Sequence, residues 1–205
     1  MRYIILIVIS LTTLLHAEHP PPRGKATFPL SKTSFKLMAK DGFKTVDLKG
    51  QKFIVVSVRE HGSDGRFYAV NEEGKVWKSG AVTSGAEKYR SPSGIFTIFQ
   101  KKRFHMSTAY PDPSGVNNMD YMMKFTRFGH ALHKGSVDWM SHGCIHIDPK
   151  DVVELFDWTD YRTKVVVTRH SYMPFALGDL RVKRVEIDKA AIFPSNIIEA
   201  IFSGE

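Results

Sequence analysis

Residues 130–146 read His-Ala-Leu-His-Lys-Gly-Ser-Val-Asp-Trp-Met-Ser-His-Gly-Cys-Ile-His, and this stretch decides how the rest of the chain is interpreted. It holds four of the nine histidines and the only cysteine, Cys144. A single thiol excludes a disulfide scaffold and any zinc site built on several thiolates. Because glycine precedes the cysteine, backbone N–H groups can converge on whatever the sulfur attacks. The stretch therefore predicts a thiol nucleophile, with a buried core cysteine as the alternative.

Nucleophilic catalysis by a thiol needs a base that removes its proton and donors that hold the oxyanion. His133 ends an apolar run and is the candidate base, so we expect thiolate to be populated below the free-cysteine pKa of roughly 8.5. Consecutive backbone N–H groups of His142, Gly143 and Cys144 would form the oxyanion hole. Ser141 is expected to hold the turn through a hydroxyl hydrogen bond.

A metal site is the competing interpretation of the same residues. The histidines and Cys144 include enough ligand atoms for zinc. Their spacing fits poorly, because His130 and His133 are three apart on a predicted strand and would point to opposite faces. The residues therefore favour nucleophilic catalysis over metal binding.

The remainder of the chain indicates a mainly β, sandwich-like domain. Its 205 residues, 42% of them hydrophobic, allow one domain with a short appendage. Short β-branched runs separated by Gly, Pro, Asn and Asp favour a sandwich or barrel over alternating βαβ units. One helix is expected, with Asp148 as its cap and Pro149 in its first turn. The predicted strands are residues 53–58, 66–70, 75–77, 81–83, 94–99, 121–128, 129–133 and 164–168.

Both ends of the chain are expected to lie outside this domain. Residues 1–17 combine a basic start with an apolar run, which is typical of a signal peptide, with an uncleaved anchor as the alternative. An exported protein of the periplasm or cell envelope follows from this interpretation. Residues 18–50 are predicted to be a linker with one weak strand. Residues 171–205 are predicted to be a C-terminal extension, with a strand near 180–187 and a short helix capped by Ser195.

The charge balance is basic, with 29 Lys and Arg against 21 Asp and Glu, a net charge of +8. The basic residues are scattered rather than clustered with aromatic residues, so we expect no nucleic-acid partner. Contact with an anionic envelope surface is compatible with the charge and the expected export.

The segment Ser141-His142-Gly143-Cys144, preceded by His133-Lys134-Gly135, resembles the signature of the L,D-transpeptidase catalytic (YkuD-like) domain. Three further segments resemble that family in the same order. Residues 91–96 are similar to its Thr-Pro-x-Gly-x-Phe turn and strand, residues 119–122 to its Met-Pro-Tyr segment, and residues 129–133 to its Gly-x-Ala-Ile-His strand. The likeness places a catalytic domain at residues 51–170.

The resemblance implies an acyl transfer on peptidoglycan stem tetrapeptides, without a metal or organic cofactor. Cys144 would attack the carbonyl of the bond between the L-centre and D-Ala, and His133 would act as the base. The backbone carbonyl of Lys134 would orient the imidazole. An amine on a second stem would then resolve the thioester into a crosslink. The alternatives are an L,D-carboxypeptidase that uses water and a non-catalytic wall-binding module.

Two departures from the family pattern affect the expected pocket. The stretch from His133 to Cys144 is short for the family, so the pocket rim is expected to be trimmed. Members usually carry Arg two residues after the cysteine, where this chain has His146, so a permanent cation is replaced by a titratable ring. His146, Tyr121 and Trp139 are the expected substrate contacts.

Overall fold

The computed structural model describes residues 26–60 and 64–192. The predicted signal peptide and the predicted helix capped by Ser195 lie outside these residues. Among the described helices, none has the length and apolar character that a membrane crossing requires. The described residues form twelve strands and two α-helices. The elements are β1 (Thr27–Pro29), β2 (Ser34–Ala39), β3 (Gly42–Asp47), β4 (Phe53–Val58), β5 (Gly65–Val70), β6 (Val76–Thr83), β7 (Gly94–Thr97), β8 (Gln100–Lys102), β9 (Met122–Lys124), β10 (Ala131–Lys134), β11 (Ile145–Ile147), α1 (Pro149–Trp158), β12 (Lys164–Thr168) and α2 (Met173–Ile192).

Nine of the strands form one curled sheet in the order β7-β12-β4-β5-β6-β11-β10-β9-β8. Every residue of the interior strand β4 is buried, which explains its almost entirely apolar sequence, because a strand covered on both faces needs no polar alternation. Most neighbouring strands are antiparallel, whereas β12 runs parallel to β4 and β10 runs parallel to β11. The prediction of a mainly β fold is confirmed.

Helix α1 covers one face of this sheet and begins where the sequence predicts. The Asp148 carboxylate accepts a hydrogen bond from the Lys150 N–H at 3.0 Å, and Pro149 occupies the first turn. At the other end, the Lys101 ammonium donates to the carbonyl oxygens of Phe156 and Thr159. A cation from β8 therefore satisfies the carbonyl end of the helix and fixes it against the sheet.

The opposite face is covered by residues that the sequence assigned to a linker. Where one weak strand was predicted, β1, β2 and β3 form an antiparallel sheet of their own. Phe35 and Leu48 from this segment are buried with Tyr172 and with side chains of the main sheet. This second core explains the difference, because part of the apolar cover of the segment, including Val166 and Tyr172, lies more than a hundred residues away in the chain.

The strand predicted near residues 180–187 is wrong, because these residues belong to α2. The Glu60 carboxylate accepts the N–H groups of Tyr172 at 2.9 Å and Met173 at 3.1 Å, and so caps the helix from another part of the chain. Asp179 accepts from the Lys32 ammonium at 2.7 Å and from the Val76 N–H at 2.9 Å. Long-range polar contacts thus override the local β-like pattern.

Candidate active site

Two parallel strands bring the ends of the cysteine–histidine cluster together. In the register of β10 and β11, His133 lies opposite His146, and their ring centroids are 5.0 Å apart in an edge-to-face arrangement. Cys144 immediately precedes β11 and is half-buried, whereas His133 is buried. Both line a pocket of about 510 Å³.

Seven of the nine predicted site residues line this pocket, the exceptions being Gly143 and Tyr121. A smaller cavity of about 290 Å³, between residues 50–52 and 160–163, contains neither a cysteine nor a histidine. The seven are Cys144, His133, His142, Ser141, Lys134, His146 and Trp139.

His133 is held as a neutral imidazole. Its Nδ1 lies 2.8 Å from the carbonyl oxygen of Lys134, which can only accept, so Nδ1 carries the hydrogen and Nε2 keeps a free lone pair. Burial lowers the pKa of His133 from 6.5 to about 4, with a further contribution from the neighbouring His146, while the Lys134 carbonyl opposes the change. The ring is therefore able to accept a proton at physiological pH.

The pKa of the Cys144 thiol is shifted in the direction opposite to the one that the sequence predicted. Burial raises the pKa of its thiol, although the Ala131 N–H and the charge of Lys124 act in the other direction. The Cys144 thiol points toward the Gly129 carbonyl oxygen, with Sγ 3.8 Å from that oxygen. The prediction of a populated thiolate is wrong, because burial favours two neutral groups in the resting site. The proton has to leave the sulfur during the reaction.

The turn before the cysteine depends on the conformation of Gly143. Its φ of +116° lies in the region that only glycine adopts readily. The Ser141 hydroxyl accepts the Gly143 N–H at 3.0 Å and donates to the Cys144 carbonyl oxygen, so it closes the turn from both sides. Because the Gly143 N–H is already engaged, the oxyanion donors left from the predicted set are the N–H groups of His142 and Cys144.

Ser91 is a supporting residue that sequence reasoning missed. It is 1% exposed, its hydroxyl donates to the Gly143 carbonyl oxygen at 2.8 Å, and it accepts the Gly85 N–H at 3.0 Å. The available signal was its position at the start of the 91–96 segment that resembles the family pattern. Its role could not be read from that segment, because it depends on a contact with a residue 52 positions away.

The side chain of His142 lies at the pocket between two aromatic rings. Its centroid is 4.8 Å from that of Tyr89, edge to face, and 4.7 Å from that of Tyr110, stacked. The ring is exposed, in contrast to that of His133. The arrangement fits an oxyanion donor through the backbone better than a second base.

His146 fastens the pocket rim. Its Nδ1 lies 3.0 Å from the Ser136 carbonyl oxygen, and a Cβ on Gly135 would come within 2.6 Å of its ring. Burial lowers the pKa of His146, so it is not a permanent cation. On the rim segment that it anchors, Trp139 is 64% exposed at the pocket.

Tyr121 is placed away from the pocket. Its ring packs against Phe156 at a centroid distance of 5.6 Å, and the Arg103 guanidinium lies 5.3 Å from the ring centroid. Its backbone has a φ of 56°, which is unusual for a tyrosine. The side chain supports α1, and the expected substrate contact at this position is corrected accordingly.

Within residues 26–60 and 64–192, no group of three or more His, Cys, Asp or Glu is positioned to hold a metal ion. Of the four histidines of the cluster, His133 and His146 contact each other, whereas His130 and His142 each have other neighbours. His130 shares a hydrogen bond with the Thr126 hydroxyl at 2.8 Å and packs beneath Gly143, while His142 contacts the two tyrosine rings.

Comparison with known proteins identifies a family whose catalytic domain includes the residues of this site. A family model described as the L,D-transpeptidase catalytic domain matches residues 51–167. No curated protein matches the chain. Among solved structures, the chain is similar to an L,D-transpeptidase from Stackebrandtia nassauensis, with 26% identity, a TM-score of 0.48, and coverage of 58% of this chain and 57% of that one.

Two mycobacterial structures give comparable values. An L,D-transpeptidase from Mycobacterium smegmatis is 19% identical, with a TM-score of 0.47 and coverage of 67% of this chain and 68% of that one. L,D-transpeptidase 1 from Mycobacterium tuberculosis is 20% identical, with a TM-score of 0.47 and coverage of 69% and 73%.

Proposed function

The chain belongs to the L,D-transpeptidase catalytic domain family, whose model matches residues 51–167 of its 205, and from this we propose that it is a cysteine-dependent acyltransferase of peptidoglycan stem peptides. Members of the family act on peptidoglycan outside the cytoplasm. One observation carries the proposal: the only thiol of the chain shares a pocket with a buried histidine whose Nδ1 is held by a backbone carbonyl. The export signal that the sequence predicts at residues 1–17 fits this function.

The acylation step transfers one proton and exchanges one bond at the carbonyl. Cys144 Sγ attacks the carbonyl of the bond between the L-centre and D-Ala, while His133 Nε2 takes the thiol proton. The tetrahedral oxyanion is held by the N–H groups of His142 and Cys144. When the C–N bond breaks, His133 returns the proton to the leaving amine, so D-Ala departs and a thioester remains.

The second step runs the same exchange in reverse. An amine of a second stem attacks the thioester, His133 accepts the proton of that amine, and the thiolate leaves and is reprotonated. The product is a crosslink between two stems. Water in place of the amine gives a tripeptide and makes the protein an L,D-carboxypeptidase.

The buried site explains why the enzyme can begin from a neutral pair. Separating charge in a pocket of low dielectric is costly unless donors are already oriented toward the developing oxyanion. The turn closed by Ser141 and the φ of Gly143 provide that orientation before substrate binds. Proton transfer is then expected to accompany nucleophilic attack.

The test is incubation of the protein with purified muropeptides, with the products identified by mass. Crosslinked dimers support the transpeptidase and tripeptides alone support the carboxypeptidase. Neither product from a folded protein overturns the proposal and leaves the wall-binding module. The matched control is Cys144→Ala, which is expected to lose several orders of magnitude of turnover while keeping its unfolding temperature.

A further inference from the structure

The pocket around Cys144 has a one-sided charge. Of the described residues that line it, none is an aspartate or a glutamate, whereas two are lysines, Lys124 and Lys134. Both lysines are half-buried. A cleft lined by one sign of charge attracts ligands of the opposite sign.

The two lysines differ in how their charge is balanced. The Lys134 ammonium lies 3.1 Å from the Asp120 carboxylate, so its charge is paired. Within the part of the chain that the structure describes, Lys124 forms no ion pair. His146 adds no permanent positive charge to the pocket, because burial lowers its pKa. Among the described residues that line this pocket, Lys124 is therefore the cation whose charge is free for a ligand.

The sheet register places Lys124 beside the nucleophile. Lys124 on β9 pairs with Ala131 on β10, whose N–H is among the groups that favour the Cys144 thiolate. Cross-strand partners share a face of the sheet, and so do residues two apart on a strand. Lys124 and His133, which both line the pocket, therefore lie on the same face of the sheet on adjacent strands that are about 4.8 Å apart. The charge of Lys124 also favours the thiolate of Cys144.

We propose that Lys124 binds a carboxylate of the acyl donor next to the bond that Cys144 attacks. This inference rests on the proposed function and specifies its substrate class: a donor whose leaving residue ends in a free carboxylate. In a stem tetrapeptide the leaving D-Ala carries that group one carbon from the scissile amide nitrogen. Lys124 thus selects donors by their chain end, and it acts as a specificity-determining residue.

A chemical test uses the fact that the chain has one thiol. Cys144 is alkylated with iodoacetate, which is anionic, and with iodoacetamide, which is neutral and of similar size. Lys124→Met is expected to lower the ratio of the two rates roughly five-fold, and added salt should lower the wild-type ratio. A general change in thiol pKa affects both reagents equally and cancels in the ratio. The control Lys102→Met removes an exposed lysine of the neighbouring strand β8 and should leave the ratio unchanged.

A kinetic test uses two donors, a stem tetrapeptide with a free terminal carboxylate and the same peptide as a terminal amide. Lys124→Met should raise KM for the carboxylate donor and leave that for the amide unchanged, while Lys124→Arg restores the preference. Equal alkylation ratios in wild type and Lys124→Met would overturn the anion site even if crosslinks are formed. A ratio that falls while neither donor is turned over keeps the anion site and refutes the proposed function.

Discussion

Replacing His133 by glutamine should reveal how strongly the fold holds this histidine neutral. The side chain is 5% exposed, and its pKa falls from 6.5 to about 4 in the folded protein. Protons therefore bind more readily to the unfolded chain, and the stabilising contribution present above pH 6.5 is lost as the pH falls toward 4. A pKa shift of one unit corresponds to about 1.36 kcal/mol. The free energy of unfolding of the wild-type protein therefore falls by about 3 kcal/mol through this residue as the pH is lowered from 7 to 4.

The measurement is urea unfolding of wild type and His133→Gln at pH 7 and at pH 4. The difference at pH 7 contains the packing cost of the substitution without the proton linkage, and so serves as the internal control. At pH 4 the free energy of unfolding of the variant should lie about 3 kcal/mol closer to that of wild type than at pH 7, because glutamine takes up no proton. A difference that is the same at both pH values would refute a buried neutral imidazole at this position. It would also remove the reason for regarding His133 as the base.

Four further predictions concern the sulfur and its supports. Because the thiol pKa of Cys144 is raised, its labelling rate with iodoacetamide should still climb above pH 8.5, and a plateau below that pH would contradict the assigned direction. A carbapenem should add once per chain at Cys144, as mass spectrometry would show, and more slowly in His133→Ala; equal rates would exclude His133 as the base. Ser91→Ala should slow that acylation about ten-fold by releasing the Gly143 carbonyl, while the half-buried Ser93→Ala serves as its control; equal effects would make the contact incidental. His146→Arg puts a permanent cation beside His133 and should lower the pKa of that ring further than in His146→Gln, as NMR titration would show; superimposable titration curves of His133 would show that the two side chains are uncoupled.

The local sequence predicted the reacting groups because they are tied to short motifs. Cys144 and Gly143 follow Ser141 within one turn, and His133 lies at the end of an apolar strand. Their meeting depends on the parallel pairing of β10 and β11, which the strand pattern alone does not specify. The order of residue types in the sequence therefore predicted the chemistry, whereas the distances between the reacting groups could be read only from the folded structure.

What sequence reasoning misjudged depends on contacts between distant parts of the chain. The sign of the change in the Cys144 pKa follows from burial, which no local motif records. Tyr121 was expected at the pocket, yet its backbone has a positive φ and its ring packs against Phe156 on α1. The helical state of residues 180–187 depends on the carboxylates of Glu60 and Asp179 and on their partners far along the chain.

The second core gives the two ends of the described chain a shared role in folding. Lys32 and Asp179, which are 147 positions apart, meet across it, and Tyr172 packs against Phe35 there. The residues that match the family model stop at 167, before the segment that completes this core. Almost the whole described chain must therefore be synthesised before the apolar residues of β1–β3 can pack against Tyr172 and α2, since contacts of such long range form late. Until then the apolar outer face of β4 and β5 is open to chaperones and proteases, so trimming either end should reduce the yield of folded protein before it changes the chemistry at Cys144.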